Sequence, residues 1–158
     1  MQGITILLVG ETDSHHIQAL IDEYLKRANR FLPIAVEILP AVKISKKESK
    51  EKQKQLEGEA ILNAIGPQDE AILLDENGTE YSSRGFSALL QKKMQTTPRR
   101  LILIIGGAYG FSEAVYQKIP NRISLSRMTL NHQLVRLFVV EQVYRGLTIL
   151  NNHPYHHD

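Results

Sequence analysis

Four short apolar runs constrain the fold of this chain most strongly. They cover residues 4–9, 34–39, 71–75 and 101–105, and each stops at a Gly, a Pro or an acidic residue. Runs of this length are typical of strands that are buried on both faces of a sheet. A weaker fifth strand is predicted over residues 122–126.

The segments between these runs predict helices. Four of them contain apolar residues at helical spacing, or Ser, Thr and Asp residues that can act as N-caps. These signals predict helices over residues 12–30, 43–65, 82–95 and 132–150. A shorter helix is expected to begin near residue 112. Strands that alternate with helices favour an α/β fold with a mainly parallel sheet and helices on both faces.

Two connecting segments call for a specific interpretation. Residues 43–59 are rich in Lys, Glu and Gln, which suits either a solvated helix with a frayed start or a mobile segment. We favour the helix. Residues 76–79 have turn chemistry and predict a turn after the third strand. No linker divides the chain, so we expect one domain over residues 1–158.

Composition limits the classes of protein that remain. The 158 residues include no Cys, which excludes disulfides and thiolate metal sites. No apolar run approaches the ~20 residues of a membrane span. The first residues lack the basic region of a signal peptide, so we expect a cytoplasmic protein that does not bind membranes.

Charge is distributed unevenly along the chain. Residues 1–91 contain 10 Lys and Arg against 14 Asp and Glu, whereas residues 92–158 contain 9 against 3. A basic C-terminal part suits an anionic partner such as RNA. A solvated surface accounts for the same asymmetry equally well.

A glycine-rich turn follows the most hydrophobic strand. Gly106, Gly107 and Gly110 lie where ligands bind in open parallel sheets, at the carboxyl end of a strand, and glycine lets a ligand approach the backbone. The spacing is neither the dinucleotide fingerprint nor a P-loop. A cofactor loop of another kind and a plain strand-to-helix turn both remain open.

Two further segments are candidates for the wall of a pocket. Leu74 and Asp75 end the third strand, and residues 125–130 form a loop that mixes apolar and hydroxyl side chains. Such a loop can hold an adenine through backbone hydrogen bonds and apolar contacts. As patterns alone, these segments are also compatible with a strand end and an ordinary connection.

The last predicted helix is apolar on nearly every side. We therefore expect it to be buried in a core or against another subunit. Arg136 and Arg145 interrupt the apolar surface and are candidates to meet a phosphate or the substrate. Arg145 also lies four residues after Glu141, so an ordinary intrahelical ion pair is the alternative.

The tail after this helix contains His153, Tyr155 and His156. These side chains can fold over a substrate, orient it and assist removal of a proton. A metal site is the alternative, but no Cys or acidic cluster accompanies the histidines, so we expect no bound metal.

Taken together, these segments resemble the ribosomal large-subunit pseudouridine N3-methyltransferase H family of the SPOUT superfamily. The resemblance covers nearly the whole chain and is strongest from residue 101 to residue 156. The motifs that carry it follow a fixed order: Leu-Asp at 74–75, I-G-G-x-x-G at 105–110, S-L-S-x-M-T-L at 124–130, H-Q-L-V-R at 132–136, E-Q-V-Y-R at 141–145 and N-H-P-Y-H at 152–156.

The resemblance implies a SPOUT-like fold with a deep trefoil knot in the C-terminal part, and a homodimer. It implies an enzyme that uses S-adenosylmethionine, releases S-adenosylhomocysteine and methylates N3 of a pseudouridine in a large-subunit (23S) rRNA stem-loop on the assembled ribosome. The implied cofactor site consists of Leu74, Gly106, Leu125, Ser126, Arg127, Met128, Thr129 and Leu130.

On chemical grounds we assign catalytic roles within this framework. Arg136 and Arg145 are expected to hold RNA or to stabilise the developing anion. His153, Tyr155 and His156 are expected to orient the base or relay its proton. The alternative function is a ribosome- or RNA-binding factor with the same fold and no catalysis.

Three residues depart from the pattern of the family. Ala108 and the bulky Tyr109 follow Gly107, and Asn131 precedes the His-Gln motif where the family often has Pro. All three lie in loops of the implied cofactor site. They are expected to change cofactor affinity while leaving the glycines in place.

Overall fold

The computed structural model describes residues 1–42, 44 and 49–157. Its five strands are β1 (Gly3–Val9), β2 (Ile34–Leu39), β3 (Glu70–Glu80), β4 (Arg100–Ile105) and β5 (Arg122–Ser124). Its five helices are α1 (His15–Ala28), α2 (Lys50–Asn63), α3 (Ser83–Thr96), α4 (Glu113–Lys118) and α5 (Leu134–Leu150). The strands form one sheet in the order β2-β1-β4-β3-β5, and all neighbours are parallel.

Serine side chains begin three of the helices. The Oγ atoms of Ser14, Ser49 and Ser82 accept hydrogen bonds from backbone N–H groups in the first turns of α1, α2 and α3. These bonds satisfy donors that have no partner within the helix. The caps at Ser14 and Ser82 confirm the sequence prediction.

Helix α2 is shorter than predicted. It ends at Asn63 and not at residue 65. Its first residue is Lys50, and part of the predicted frayed start, residues 43 and 45–48, lies outside the described residues. The helical interpretation of the charged segment is therefore confirmed from Lys50 onward.

The sheet is covered on both faces, as predicted. Along β1, Ile4, Ile6 and Leu8 pack toward α1, α3 and α5, whereas Leu7 and Val9 pack toward α2 and α4. Every residue of β1 is buried. Because successive side chains of a strand point to opposite faces, an uninterrupted apolar run is what a two-sided core requires.

The turn predicted over residues 76–79 is wrong, because β3 continues to Glu80. Ile123 of β5 pairs with both Leu74 and Thr79, so the four residues between them bulge out of the ladder. Gly78 permits this arrangement: a Cβ atom there would lie 2.5 Å from the carbonyl carbon of Ile123. The close approach of two backbones explains the glycine that suggested a turn.

Helix α5 packs against α1 and α3 on one face of the sheet. Ser87 Oγ donates a hydrogen bond of 2.9 Å to the carbonyl oxygen of Gly146. In the part of the chain that the structure describes, no helix has the length and apolar character needed to cross a membrane.

Candidate functional site

A cavity of about 480 Å³ opens at the carboxyl ends of β3, β4 and β5. Its walls come from residues 74–77 within β3, the loop after β4 and the loop after β5, with further contributions from Tyr116 of α4 and from His132 and Val135 around the start of α5. Open parallel sheets bind ligands at this edge, and the volume is within the usual range for a small-molecule site. The lining includes Leu74, Asp75, Gly106, Gly107, Leu125 and Ser126.

The loop after β4 has little space for side chains. A Cβ atom on Gly106 would lie 3.0 Å from Phe111 Cε1, and one on Gly107 would lie 2.5 Å from Glu57 Oε2. Gly110 has a φ of +76°, which favours glycine. The loop therefore exposes backbone to the cavity, as a cofactor loop requires.

The cavity wall carries negative charge. Asp75 and Glu76 line it, and none of its described lining residues is Lys or Arg. The Tyr116 hydroxyl donates a hydrogen bond to Asp75 Oδ2. Burial and the neighbouring Asp75 raise the pKa of Tyr116 to about 12, so this hydroxyl stays protonated at neutral pH. Such a wall suits a cationic ligand better than a phosphate.

The loop after β5 forms the opposite wall. Ser126 Oγ accepts a hydrogen bond of 2.9 Å from the backbone N–H of Met128, and the Ser126 carbonyl accepts one of 3.1 Å from Ser124 Oγ. Of the six predicted cofactor residues in this loop, five line the cavity. The exception is Arg127, whose side chain is 86% exposed and pairs with Glu80.

Arg136 does not reach the cavity. Its side chain is buried, and its guanidinium donates hydrogen bonds of 2.9 Å to the carbonyls of Val9 and Gly10 and of 3.1 Å to Thr12 Oγ1. Burial lowers the pKa of Arg136, and nearby acidic residues partly offset this effect. These contacts join α5 to the end of β1, so within this subunit Arg136 is a structural residue.

Arg145, Tyr155 and His156 come together at the other end of α5. Arg145 forms an ion pair of 2.6 Å with Glu141 Oε1, its NH1 lies 3.3 Å from His156 Nδ1, and its guanidinium stacks over the Tyr155 ring. The Tyr155 hydroxyl donates a hydrogen bond of 2.9 Å to Glu141 Oε1 and lies 3.3 Å from the Tyr24 hydroxyl. We call these five residues the tail cluster.

His153 lies apart from the tail cluster. Its ring contacts the edge of Phe31 with 5.9 Å between the ring centroids, and its backbone N–H donates to the Thr148 carbonyl. The side chain is exposed. The His153 side chain therefore packs near the C-terminal end of α5, apart from the side chains of the tail cluster.

The cavity and the tail cluster are separated along α5. Val135 lines the cavity, and Arg145 lies ten residues further along the same helix. At a rise of 1.5 Å per residue, this corresponds to about 15 Å. Within one subunit, the tail cluster with Arg145, Tyr155 and His156 is therefore separate from the predicted cofactor residues.

Sequence reasoning missed two polar groups near the cavity and one in the tail cluster. Tyr116 bonds Asp75, Glu57 lies beneath the glycine loop, and Tyr24 approaches Tyr155. The Gly that follows Glu57 in the middle of a charged helix was the available signal, because glycine there indicates close packing. The described residues contain no group of three or more His, Cys, Asp or Glu side chains that could hold a metal ion.

A family model described as "Predicted SPOUT methyltransferase" matches residues 1–156. The chain belongs to the SPOUT methyltransferase family. Among curated relatives, this methyltransferase is 52% identical to "Ribosomal RNA large subunit methyltransferase H" of Porphyromonas gingivalis over 98% of its length and 99% of the relative. It is 50% identical to the protein of the same name from Flavobacterium johnsoniae, with the same coverage.

Solved structures show the same fold at low sequence identity. The tRNA (m1G37) methyltransferase of Aquifex aeolicus aligns with a TM-score of 0.57 and 16% identity, over 99% of this methyltransferase and 75% of that chain. A probable methyltransferase of Bordetella pertussis aligns with a TM-score of 0.54 and 11% identity, over 92% and 95% of the two chains. At these identities the comparison concerns the fold alone.

Proposed function

We propose that this methyltransferase transfers a methyl group from S-adenosylmethionine to N3 of a pseudouridine in a stem-loop of large-subunit rRNA on the assembled ribosome. One observation carries the proposal. A cavity with a glycine loop and an acidic wall lies at the sheet edge of a chain about half identical, over nearly its whole length, to enzymes named for methylation of large-subunit rRNA.

The residues of the cavity fit the proposed cofactor. The backbone of Gly106 and Gly107 is accessible, Leu74 and Leu125 offer apolar contact, and Asp75 offers a carboxylate to positive charge. When bound, S-adenosylmethionine supplies a methyl group on a positively charged sulfur and leaves as S-adenosylhomocysteine. Ser126, Met128, Thr129 and Leu130 would hold it from the opposite wall, and Arg127 would contribute only its backbone.

The tail cluster would orient the base. N3 of a pseudouridine carries a proton that must leave before the nitrogen can attack a methyl group, and alignment of the reacting atoms supplies much of the acceleration. Burial, together with Tyr24 and Glu141, raises the pKa of Tyr155. Tyr155 is therefore a hydrogen-bond donor at neutral pH, and we do not assign it the role of base.

Arg145 and His156 would act beside Tyr155. Because a guanidinium can only donate hydrogen bonds, His156 Nδ1 is the acceptor in this contact. The hydrogen bonds to Glu141 and the charge of Glu141 raise the pKa of Arg145, so it stays cationic. A cation beside the hydrogen-bonding groups of Tyr155 and His156 suits a base that becomes negatively charged during proton loss.

A homodimer would unite the two groups of residues. Leu134 and Phe138 are 51% and 39% exposed, and they lie on the same face of α5 as Glu141 and Arg145. If a second copy packs against this face through a two-fold axis perpendicular to α5, the two α5 helices run in opposite directions. The tail cluster of one subunit then approaches the cavity of the other, which removes the separation within one subunit.

We further propose one SPOUT domain over residues 1–158, with the C-terminal part threaded as a deep trefoil knot and the protein located in the cytoplasm. Family membership supports the knot and the single domain. The rival function is a ribosome-binding factor without catalysis. An accessible glycine loop beside a cavity favours the enzyme, because a binding factor needs neither feature.

Calorimetric titration with S-adenosylmethionine, followed by transfer of a labelled methyl group to ribosomes that lack the modification, tests the proposal. We expect saturable binding that Gly106→Val abolishes, because its side chain would meet Phe111 and enter the cavity. Leu20→Ala, an exposed position on α1 outside the cavity, is the control. Binding without any transfer would favour the rival, and absence of binding would refute the cofactor assignment.

The role of the tail has its own test. Tyr155→Phe removes the hydroxyl that bonds Glu141 and keeps the ring that stacks against Tyr144 and Arg145. We expect methyl transfer to ribosomes to fall about 100-fold because the base is less well oriented, while affinity for S-adenosylmethionine is unchanged. Full transfer by this variant would remove the hydroxyl from the mechanism.

A further inference from the structure

A buried carboxylate lies beneath the glycine loop, and one of its two oxygens accepts no hydrogen bond from the described residues. Glu57 of α2 is only 4% exposed. Its Oε1 accepts a hydrogen bond of 2.9 Å from Gln53 Nε2, whereas its Oε2 has no hydrogen-bond partner among the described residues. Burying a carboxylate oxygen without a partner is costly, so a compensating charge nearby would be favourable.

The unpartnered oxygen faces the cavity through a single layer of backbone. Glu57 Oε2 lies 2.5 Å from the position of a Cβ atom on Gly107, and Gly107 lines the cavity. The next residue of α2, Gly58, packs closely against Ser112 at the start of α4. This contact holds the backbone of α2 close to the start of α4, beneath the loop.

We propose that Glu57 is a specificity-determining residue that makes the cavity prefer the positively charged methyl donor over its neutral product. The inference rests on the proposed function. S-adenosylmethionine and S-adenosylhomocysteine differ by one methyl group and by the positive charge on sulfur. A buried negative charge behind the loop therefore attracts the donor more strongly than the product, and it favours release of the product after transfer.

Glu57 differs in kind from the other carboxylates of the site. Asp75 accepts hydrogen bonds from Tyr116 and from the backbone N–H of Asn77, and these bonds already stabilise its negative charge. Glu76 is exposed, and water and dissolved ions weaken the interaction of its charge with a ligand. Glu57 is itself buried, and the low dielectric around a buried charge strengthens its interaction with a charge in the cavity.

The test compares the affinities of Glu57→Gln for the two ligands by calorimetry. The change keeps the shape and the bond from Gln53 while it removes the charge. For two unit charges separated by several ångströms at an effective dielectric of about 20 to 40, we expect affinity for S-adenosylmethionine to fall roughly 5- to 30-fold. Affinity for S-adenosylhomocysteine should stay within about twofold. Glu59→Gln, an exposed carboxylate on the same helix, should change neither.

Several outcomes decide between the possibilities. An equal loss of affinity for both ligands, or no loss for S-adenosylmethionine, would overturn the inference and leave the proposed function standing. Failure of the unmodified protein to bind either ligand would overturn both. If Glu57→Gln does not fold by circular dichroism, Glu57→Asp gives the same comparison. Its retracted carboxylate should weaken donor binding by a smaller factor, and an unchanged ratio would refute the inference.

Discussion

The close contact between Gly107 and Glu57 makes a prediction about stability that a pair of substitutions can test. In Gly107→Ala, the new methyl group would lie 2.5 Å from Glu57 Oε2 and 3.1 Å from Glu57 Cδ. Real Cβ atoms do not tolerate the first of these distances, so either the loop or α2 must shift. Overpacking of this kind costs about 1–3 kcal/mol.

The cost should depend on Glu57. In Glu57→Ala the obstructing carboxylate is absent, and Gly107 does not have a positive φ, so alanine is not strained there. In that background Gly107→Ala should not lower the free energy of unfolding, because the obstructing carboxylate is absent and alanine restricts the unfolded chain. The loss of the Gln53 hydrogen bond occurs in both members of that pair and cancels.

The measurement is a double-mutant cycle of free energies of unfolding in urea for the four proteins. We expect a coupling energy of about 1–3 kcal/mol between the two positions, with equal denaturant slopes. Additive effects would contradict the reasoning, because they would mean that the methyl group does not meet the carboxylate. Gly107→Ala should also weaken binding of S-adenosylmethionine, since the displaced loop lines the cavity.

Two further predictions concern stability elsewhere in the chain. Arg136→Met should lower the free energy of unfolding by about 3 kcal/mol, because it leaves buried carbonyls without donors. Arg145→Met, the comparison variant, should lower it by less than about 1 kcal/mol. Equal losses in urea unfolding would refute the structural role of Arg136. Burial raises the pKa of Glu70, but hydrogen bonds from Lys93 and Thr97 outweigh it and lower the pKa overall. The ionised Glu70 carboxylate therefore stabilises the folded protein above its unfolded pKa of about 4.3, and this contribution is lost as the pH falls through its lower folded pKa. Between about pH 5 and pH 3, the free energy of unfolding should fall more for the unmodified protein than for Glu70→Gln. Identical losses in acid titrations of the two proteins would contradict this assignment.

The sequence was sufficient to predict the class of fold. The run of β4 from Leu101 to Ile105 has no polar interruption and that of β1 has only Thr5, and a strand covered on both faces is what tolerates that pattern. The prediction failed where a long-range contact decided the local structure. Gly78 has the local chemistry of a turn, but its role is to admit the backbone of Ile123, which is 45 residues away along the chain.

The cavity was also largely predictable, because the loops that follow β4 and β5 supply most of its lining and such loops bind ligands in open parallel sheets. Side-chain partners were not. Arg136 and Arg145 look alike in the sequence, yet one bonds the backbone at the end of β1 and the other joins the tail cluster. Glu57 sits among exposed charged residues of α2, and only the packing of the helix against the glycine loop distinguishes it from them.

The bonds of Arg136 have a consequence for the order in which the chain acquires its structure. They connect α5 to carbonyls 126 and 127 residues earlier, at the end of the first strand to leave the ribosome. The carboxyl end of β1 therefore cannot form these hydrogen bonds until almost the whole polypeptide has been synthesised. Because closing so long a loop is entropically costly and slow, folding should be largely post-translational, and the nascent chain should expose apolar strands throughout its synthesis.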